Sequence, residues 1–147
     1  LLPDGDTLWV GTQARGLGEF QRASGRLRRH DERVGLPDDW ITAVARAAGA
    51  LYVGSFVGGL AQWDGSRWVT FDELRGANVT CRASTDAGGL FIATRRGVWH
   101  RRLDGRLEPL NARFPTLDTE AQALWAEDGG LWVGTRTGLY LVSSIPP

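Results

Sequence analysis

Two histidines, one cysteine and three close carboxylate pairs are the side chains on which catalysis would have to rest in this chain of 147 residues. His30 and His100 have no His-x-x-x-His, Cys-x-x-Cys or Gly-x-Ser-x-Gly pattern around them, so zinc and nucleophile-elbow chemistry have no support. Cys81 lies in the apolar stretch from Val79 to Ala83, where a small buried side chain is expected, and a lone cysteine excludes an internal disulfide or a multi-thiolate metal site. The pairs Asp38-Asp39, Asp118 with Glu120, and Glu127-Asp128 read as strand or turn caps, with Asp38 and Asp39 the pair worth carrying toward a site. No cofactor and no metal are expected.

Every basic residue is arginine, 17 against 17 acidic residues, and the net charge is zero. Bulk charge therefore points to neither nucleic acid nor an anionic membrane as partner. No run approaches the 18 apolar residues of a membrane span, so no direct membrane insertion is expected, and Leu1-Leu2-Pro3 reads as a start in mid-protein. The combination of 20 Gly with 7 Trp fits short strands joined by tight turns.

The elements that must position these groups are announced by a repeat. Leu8-Trp9-Val10-Gly11-Thr12 returns as Leu51-Tyr52-Val53-Gly54-Ser55, Leu90-Phe91-Ile92-Ala93-Thr94 and Leu131-Trp132-Val133-Gly134-Thr135, at steps of 43, 39 and 41 residues. A Gly-apolar pair follows each copy: Gly16-Leu17, Gly59-Leu60, Gly97-Val98 and Gly138-Leu139. Asp4-Gly5, Ala48-Gly49, Gly88-Gly89 and Asp128-Gly129 precede the copies, and Ser24-Gly25, Asp64-Gly65 and Asp104-Gly105 recur later in each unit. Such pairs supply the positive φ of two-residue hairpins.

One unit then reads as four antiparallel strands: Ile41 to Arg46, Leu51 to Ser55, Leu60 to Asp64 and Trp68 to Asp72. Leu131-Trp132-Val133 is apolar on both alternating faces, so each sheet must be sandwiched between neighbours, as the blades of a β-propeller are. Small residues in the first strands (Ala43, Ala45, Ala83, Ala121, Ala123) suit an innermost position, and Gly11, Gly54 and Gly134 permit close backbone approach. The chain is expected to be all-β, a β-propeller segment of about three and a half four-stranded antiparallel blades. Its expected divisions are a partial blade at 1–34 lacking the inner strand, blades at 35–74 and 75–117, and a partial blade at 118–147 lacking the outer strand. An open arc of this kind is expected to need flanking blades of the same chain.

This topology decides which residues converge. His30 and His100 are expected as exposed edge residues in outer strands. The second-to-third-strand loops and the blade-to-blade connectors emerge on one rim, which gathers Arg15, Arg95, Arg96 and Arg136 with Asp38, Asp39 and Trp40 as a candidate ligand-binding surface. Arginine offers planar, multi-donor recognition of carboxylate, phosphate or sugar hydroxyls; solvated loop tips are the competing account. Trp9, Trp132, Trp63, Trp68, Trp99 and Trp125 are expected to pack structurally, and Arg101 and Arg102 to lie without consequence on an outer strand.

The Leu-Trp-Val-Gly-Thr core, the following Gly-Leu and the connector Gly35-Leu36-Pro37-Asp38-Asp39-Trp40-Ile41-Thr42-Ala43-Val44 resemble the two-component regulator propeller repeat, over nearly the whole chain. The third copy departs from it at Phe91, Ala93 and Val98. The resemblance implies a non-catalytic input region of a periplasmic bacterial sensor, whose output is a histidine kinase or diguanylate cyclase. The expected partner is a small molecule or oligosaccharide, or a protein partner if the blades serve as an interaction scaffold. A propeller hydrolase or lyase is the third reading, and would require His or Glu side chains converging near the axis.

Overall fold

The computed structural model describes residues 1–84, 89–117, 120–127, 130–143 and 145. The expectations for Gly88, Asp118, Asp128 and Gly129, and for the side chain of Cys81, lie outside the described residues.

Among the described residues fifteen strands form four antiparallel sheets, each a meander in chain order. The first holds β1 (Leu2–Asp4), β2 (Thr7–Gly11), β3 (Leu17–Gln21) and β4 (Leu27–His30). The second holds β5 (Ile41–Ala47), β6 (Ala50–Ser55), β7 (Leu60–Trp63) and β8 (Trp68–Thr70). The third holds β9 (Val79–Ser84), β10 (Leu90–Thr94), β11 (Gly97–Arg101) and β12 (Leu107–Pro109), and the fourth β13 (Ala121–Glu127), β14 (Gly130–Thr135) and β15 (Leu139–Ser143). Helical structure among the described residues is confined to single 3-10 turns, and no helix is long and apolar enough to cross a membrane.

The first sheet corrects the expected strand count. Leu2-Pro3-Asp4 supplies the innermost strand that was expected to be missing, with Pro3 opposite Leu8. Proline is admissible there because β1 is an edge strand, where a missing N–H breaks no ladder. Asp4 then runs into Gly5, whose φ of 57° closes the hairpin.

Three apolar layers fill the spaces between successive sheets. Trp9 and Leu17 of the first sheet pack on Leu51, Val53 and Ala61 of the second. Tyr52 and Leu60 pack on Leu90 and Ile92 of the third, and Phe91 and Val98 on Leu131 and Val133 of the fourth. The repeat-core strands β6 and β10 therefore present alternate residues to the preceding and the following sheet, which is why they are apolar on both faces. Gly54 permits the closest approach near the inner strands: a Cβ there would lie 2.4 Å from Val79 Cγ1.

Connectors lock neighbouring sheets together at the rim. Gly59, at φ 81°, lies under the connector leaving the second sheet, and a Cβ would meet the Leu74 carbonyl oxygen at 2.0 Å. Gly16, Gly59 and Gly97 of the repeated pair thus make a backbone-to-backbone contact that only glycine can make, whereas Gly138 has no backbone so close.

Candidate functional site

Connector 36–40 runs between two loops. The Asp39 carbonyl accepts from Gly16 N at 2.9 Å on one side, and the Trp40 carbonyl accepts from Phe56 N at 3.0 Å on the other. Asp38 is buried, its two oxygens accepting from the backbone N–H groups of Trp40 and Val57, both at 2.9 Å. Asp39 accepts from Glu32 N at 3.0 Å. Both carboxylates thus serve as internal acceptors that fix the strap. Trp40 stacks on Phe56, ring centroids 4.1 Å apart and planes 13° from parallel.

Phe56 and Val57 form one wall of an open groove of about 830 Å³ between the second and third sheets. The connector from Glu73 to Asn78 lines it too, with Thr94 at the end of β10, Arg95 and Arg96 of the β10–β11 loop, and Trp99, Asn111 and Pro115. Its charged lining is Arg75, Arg95 and Arg96 against Glu73. Arg75 is paired with Asp72, and Arg95 has Glu120 at 3.9 Å. Arg96 makes no ion pair among the described residues, and its backbone N–H donates to Thr94 Oγ1 at 3.1 Å. The groove therefore offers an exposed guanidinium beside aromatic and amide surface.

The seven candidate residues thus divide. Arg95 and Arg96 line the groove; Asp38 and Trp40 support its Phe56–Val57 wall from behind; Asp39 holds the connector. Arg15 and Arg136 are exposed on the loops of the first and fourth sheets and do not line it. Phe56, Trp99, Asn111 and Pro115 went unremarked as lining residues, although Phe56 stands in a loop that sequence periodicity already isolates.

The histidines are where the expectation fails. His30 and His100 each have only 2% of their surface exposed. His30 lies among Trp9, Trp63 and Trp68 with ring centroids 5.8, 5.4 and 5.7 Å away. Trp68 Nε1 donates to its Nδ1 at 3.4 Å, which leaves Nε2 as the donor to Glu19 Oε2 at 3.0 Å. His100 stacks on Phe91 at 4.5 Å, and its Nδ1 has no hydrogen-bond partner. Burial lowers the His100 pKa from 6.5, opposed by the charge of Glu108. Both rings belong to the packing between sheets, because His30 in β4 and His100 in β11 lie opposite the buried Leu17 and Phe91 and share their covered face. Arg101 corrects a second expectation: its guanidinium lies 5.2 Å over the Tyr52 ring and 5.9 Å from Phe71, so it seals the second-to-third joint.

Trp125 departs in the other direction. It was expected to pack structurally, yet it is 67% exposed on the free face of the fourth sheet. Among the described residues no group of three or more His, Cys, Asp or Glu side chains is placed to hold a metal ion.

No family model and no curated protein matches the chain. Solved structures do. The extracellular domain assigned to a hybrid two-component system of B. thetaiotaomicron superposes with a TM-score of 0.77 at 22% identity, over 95% of this chain and 19% of that one. The arc is a β-propeller fold. A second such domain from the same organism gives 0.77 at 23% identity, over 99% of this chain and 20% of its own. Virginiamycin B lyase from Staphylococcus aureus, in a catalytically inactive His-to-Ala form with quinupristin, gives 0.69 at 11% identity, over 99% of this propeller arc and 54% of the lyase. The propeller arc spans about one-fifth of the length of the two-component domains it matches.

Proposed function

We propose that this propeller arc is a ligand-recognition segment of an extracytoplasmic, periplasmic bacterial sensor of the two-component regulator propeller type, and that its ligand enters the Arg95–Arg96 groove. One observation carries the reading: Arg95 and Arg96 line the same groove as Phe56, whose ring stacks on Trp40. A carboxylated or phosphorylated small molecule, or a sugar presenting hydroxyls, takes charge-assisted hydrogen bonds from arginines, each contributing about 1.5–3 kcal/mol. The aromatic wall accepts an apolar or ring face. Likeness to extracellular domains of two-component systems supports the sensor setting.

The groove presents no acid–base pair suited to catalysis. Among the described residues its lining carboxylate is Glu73, which shares the groove with Arg75, Arg95 and Arg96, and both histidines are enclosed in sheet-to-sheet packing. These features support a recognition role without turnover.

The test is calorimetric titration of the chain with glucuronate, inorganic phosphate and a neutral disaccharide. Joint substitution of Arg95 and Arg96 by Ala should abolish the binding seen with wild type and leave the melting temperature unchanged. Arg26 and Arg28, exposed on the first sheet, serve as the control pair. Binding lost on Arg15→Ala with Arg136→Ala, but retained in the groove variant, would move recognition to the loop tips and favour a protein-docking scaffold.

A further inference from the structure

Of the charged groups that line the groove, Glu73, Arg75, Arg95 and Arg96, two already have a counter-charge within the protein. Arg75 is paired with Asp72, and Arg95 has Glu120 at 3.9 Å. One carboxylate and one guanidinium remain. Among the described residues the side chains of Glu73 and Arg96 have neither an ion-pair nor a hydrogen-bond partner, and both residues are exposed.

Nor do these two answer each other. Glu73 stands in the 3-10 turn Asp72–Leu74 that follows the second sheet, and Arg96 in the loop between β10 and β11 of the third. No ion pair joins them, so the groove offers opposite charges from separate elements, one beside each sheet.

This arrangement discriminates among the ligands that the arginines alone would accept. A simple anion, carboxylate or phosphate, gains from Arg96 but is repelled by Glu73 in the same groove. A neutral sugar leaves both charges without a counter-charge. A molecule with one cationic and one anionic end satisfies both, through a charge-assisted hydrogen bond at each.

The rest of the lining suits what lies between such ends. Phe56 and Trp99 offer aromatic surface, and Ala77 and Pro115 apolar surface. The Asn78 carboxamide lines the groove without a hydrogen-bond partner among the described residues, and it can donate and accept at once, as a peptide unit requires. In a single α-amino acid both charges attach to one carbon, whereas an extended peptide spreads its termini by about 3.3–3.6 Å per residue. Charges offered from two elements fit the second case.

We propose that the groove binds a short peptide with free termini and an apolar or aromatic side chain, its carboxylate on Arg96 and its ammonium group on Glu73. The inference rests on the groove reading given above and narrows it to one ligand class. A peptide held in this way bridges the second sheet to the third at the rim.

The test is calorimetric titration of the 147-residue chain with the tripeptide Ala-Phe-Ala, its N-acetyl and C-amide forms, and glucuronate. The free tripeptide should bind, and each blocked form should bind about tenfold or more weakly. Glu73→Gln should remove the discrimination against the acetylated form alone, and Arg96→Gln that against the amide alone. Both positions are exposed, so circular dichroism should be unchanged in either variant. No binding of the tripeptide, equal affinity of free and blocked forms, or a preference for glucuronate would overturn the peptide assignment. Glucuronate binding lost on Arg95→Ala with Arg96→Ala would in that case still hold the groove as an anion site. Tripeptide binding that survives the same double substitution would remove the groove reading together with the inference.

Discussion

Arg46 reaches from the second sheet to the first and places Nε and Nη2 on a single oxygen of Asp4, at 2.8 and 2.5 Å. The same oxygen accepts from Trp9 Nε1, so one carboxylate ties the repeat-core tryptophan to the adjacent sheet. The Arg46 contacts hold the Asp4 pKa below its ordinary 3.8. Both side chains are partly solvated, so a double-mutant cycle with Asp4→Asn and Arg46→Gln should return a coupling of about 0.2–1 kcal/mol in urea unfolding. Because the folded-state pKa is depressed, this contribution is present above pH 3.8 and fades as pH falls below it. A coupling that persists when Asp4 is fully protonated would contradict the assignment.

Gly59→Ala should be more damaging than Gly25→Ala. Both glycines have positive φ, 81° and 68°, but a Cβ at Gly59 would strike the Leu74 carbonyl oxygen while nothing lies within 4 Å at Gly25. The first change should cost about 1–3 kcal/mol or more and the second about 1 kcal/mol or less, read from denaturant midpoints at constant m. Equal losses would show that the connector yields.

Val133→Asp should unfold the fourth sheet. Its side chain has no exposed surface in the layer against the third sheet, and an unpaired carboxylate there costs several kcal/mol. Circular dichroism and proteolysis confined to the residues after 117 provide the measurement. A variant that melts with the wild type would mean that this layer is wet.

His100 should make the protein less stable in mild acid. Burial favours its neutral form, so the unfolded chain takes up the proton first, and stability falls as pH drops below 6.5 toward the lowered folded-state value. His100→Phe preserves the stack on Phe91 and removes the unpaired Nδ1. Its melting temperature should change less between pH 7.5 and 5.5 than that of wild type, a window above the range in which the carboxylates titrate. Parallel pH profiles would assign the loss elsewhere.

The repeat made the sheets legible because a core of five residues, followed by Gly-Leu, encodes both a strand covered on two faces and the glycine under each connector. What escaped was parity. His30 pairs with Leu17 across β3 and β4, and His100 with Phe91 across β10 and β11, so each points the way its buried partner points. Judging them by their place near the blade edge hid this. Trp125 failed for the opposite reason: the register position it shares with the buried Ala45 is covered only where a following sheet exists. At the rim, loop position identified the arginines. The hydrogen bonds that commit Asp38 and Asp39 to backbone N–H groups depend on where Val57 and Glu32 fold back, which spacing alone does not encode.

The connectors carry a kinetic consequence. Each internal joint is held by a short covalent tether, so its two faces meet at an effective concentration in the millimolar range. An interface of micromolar intrinsic affinity is then closed nearly always inside the chain. A seam that parts should therefore reclose far more often than it leads on to the loss of its neighbours, and local opening should run faster than unfolding.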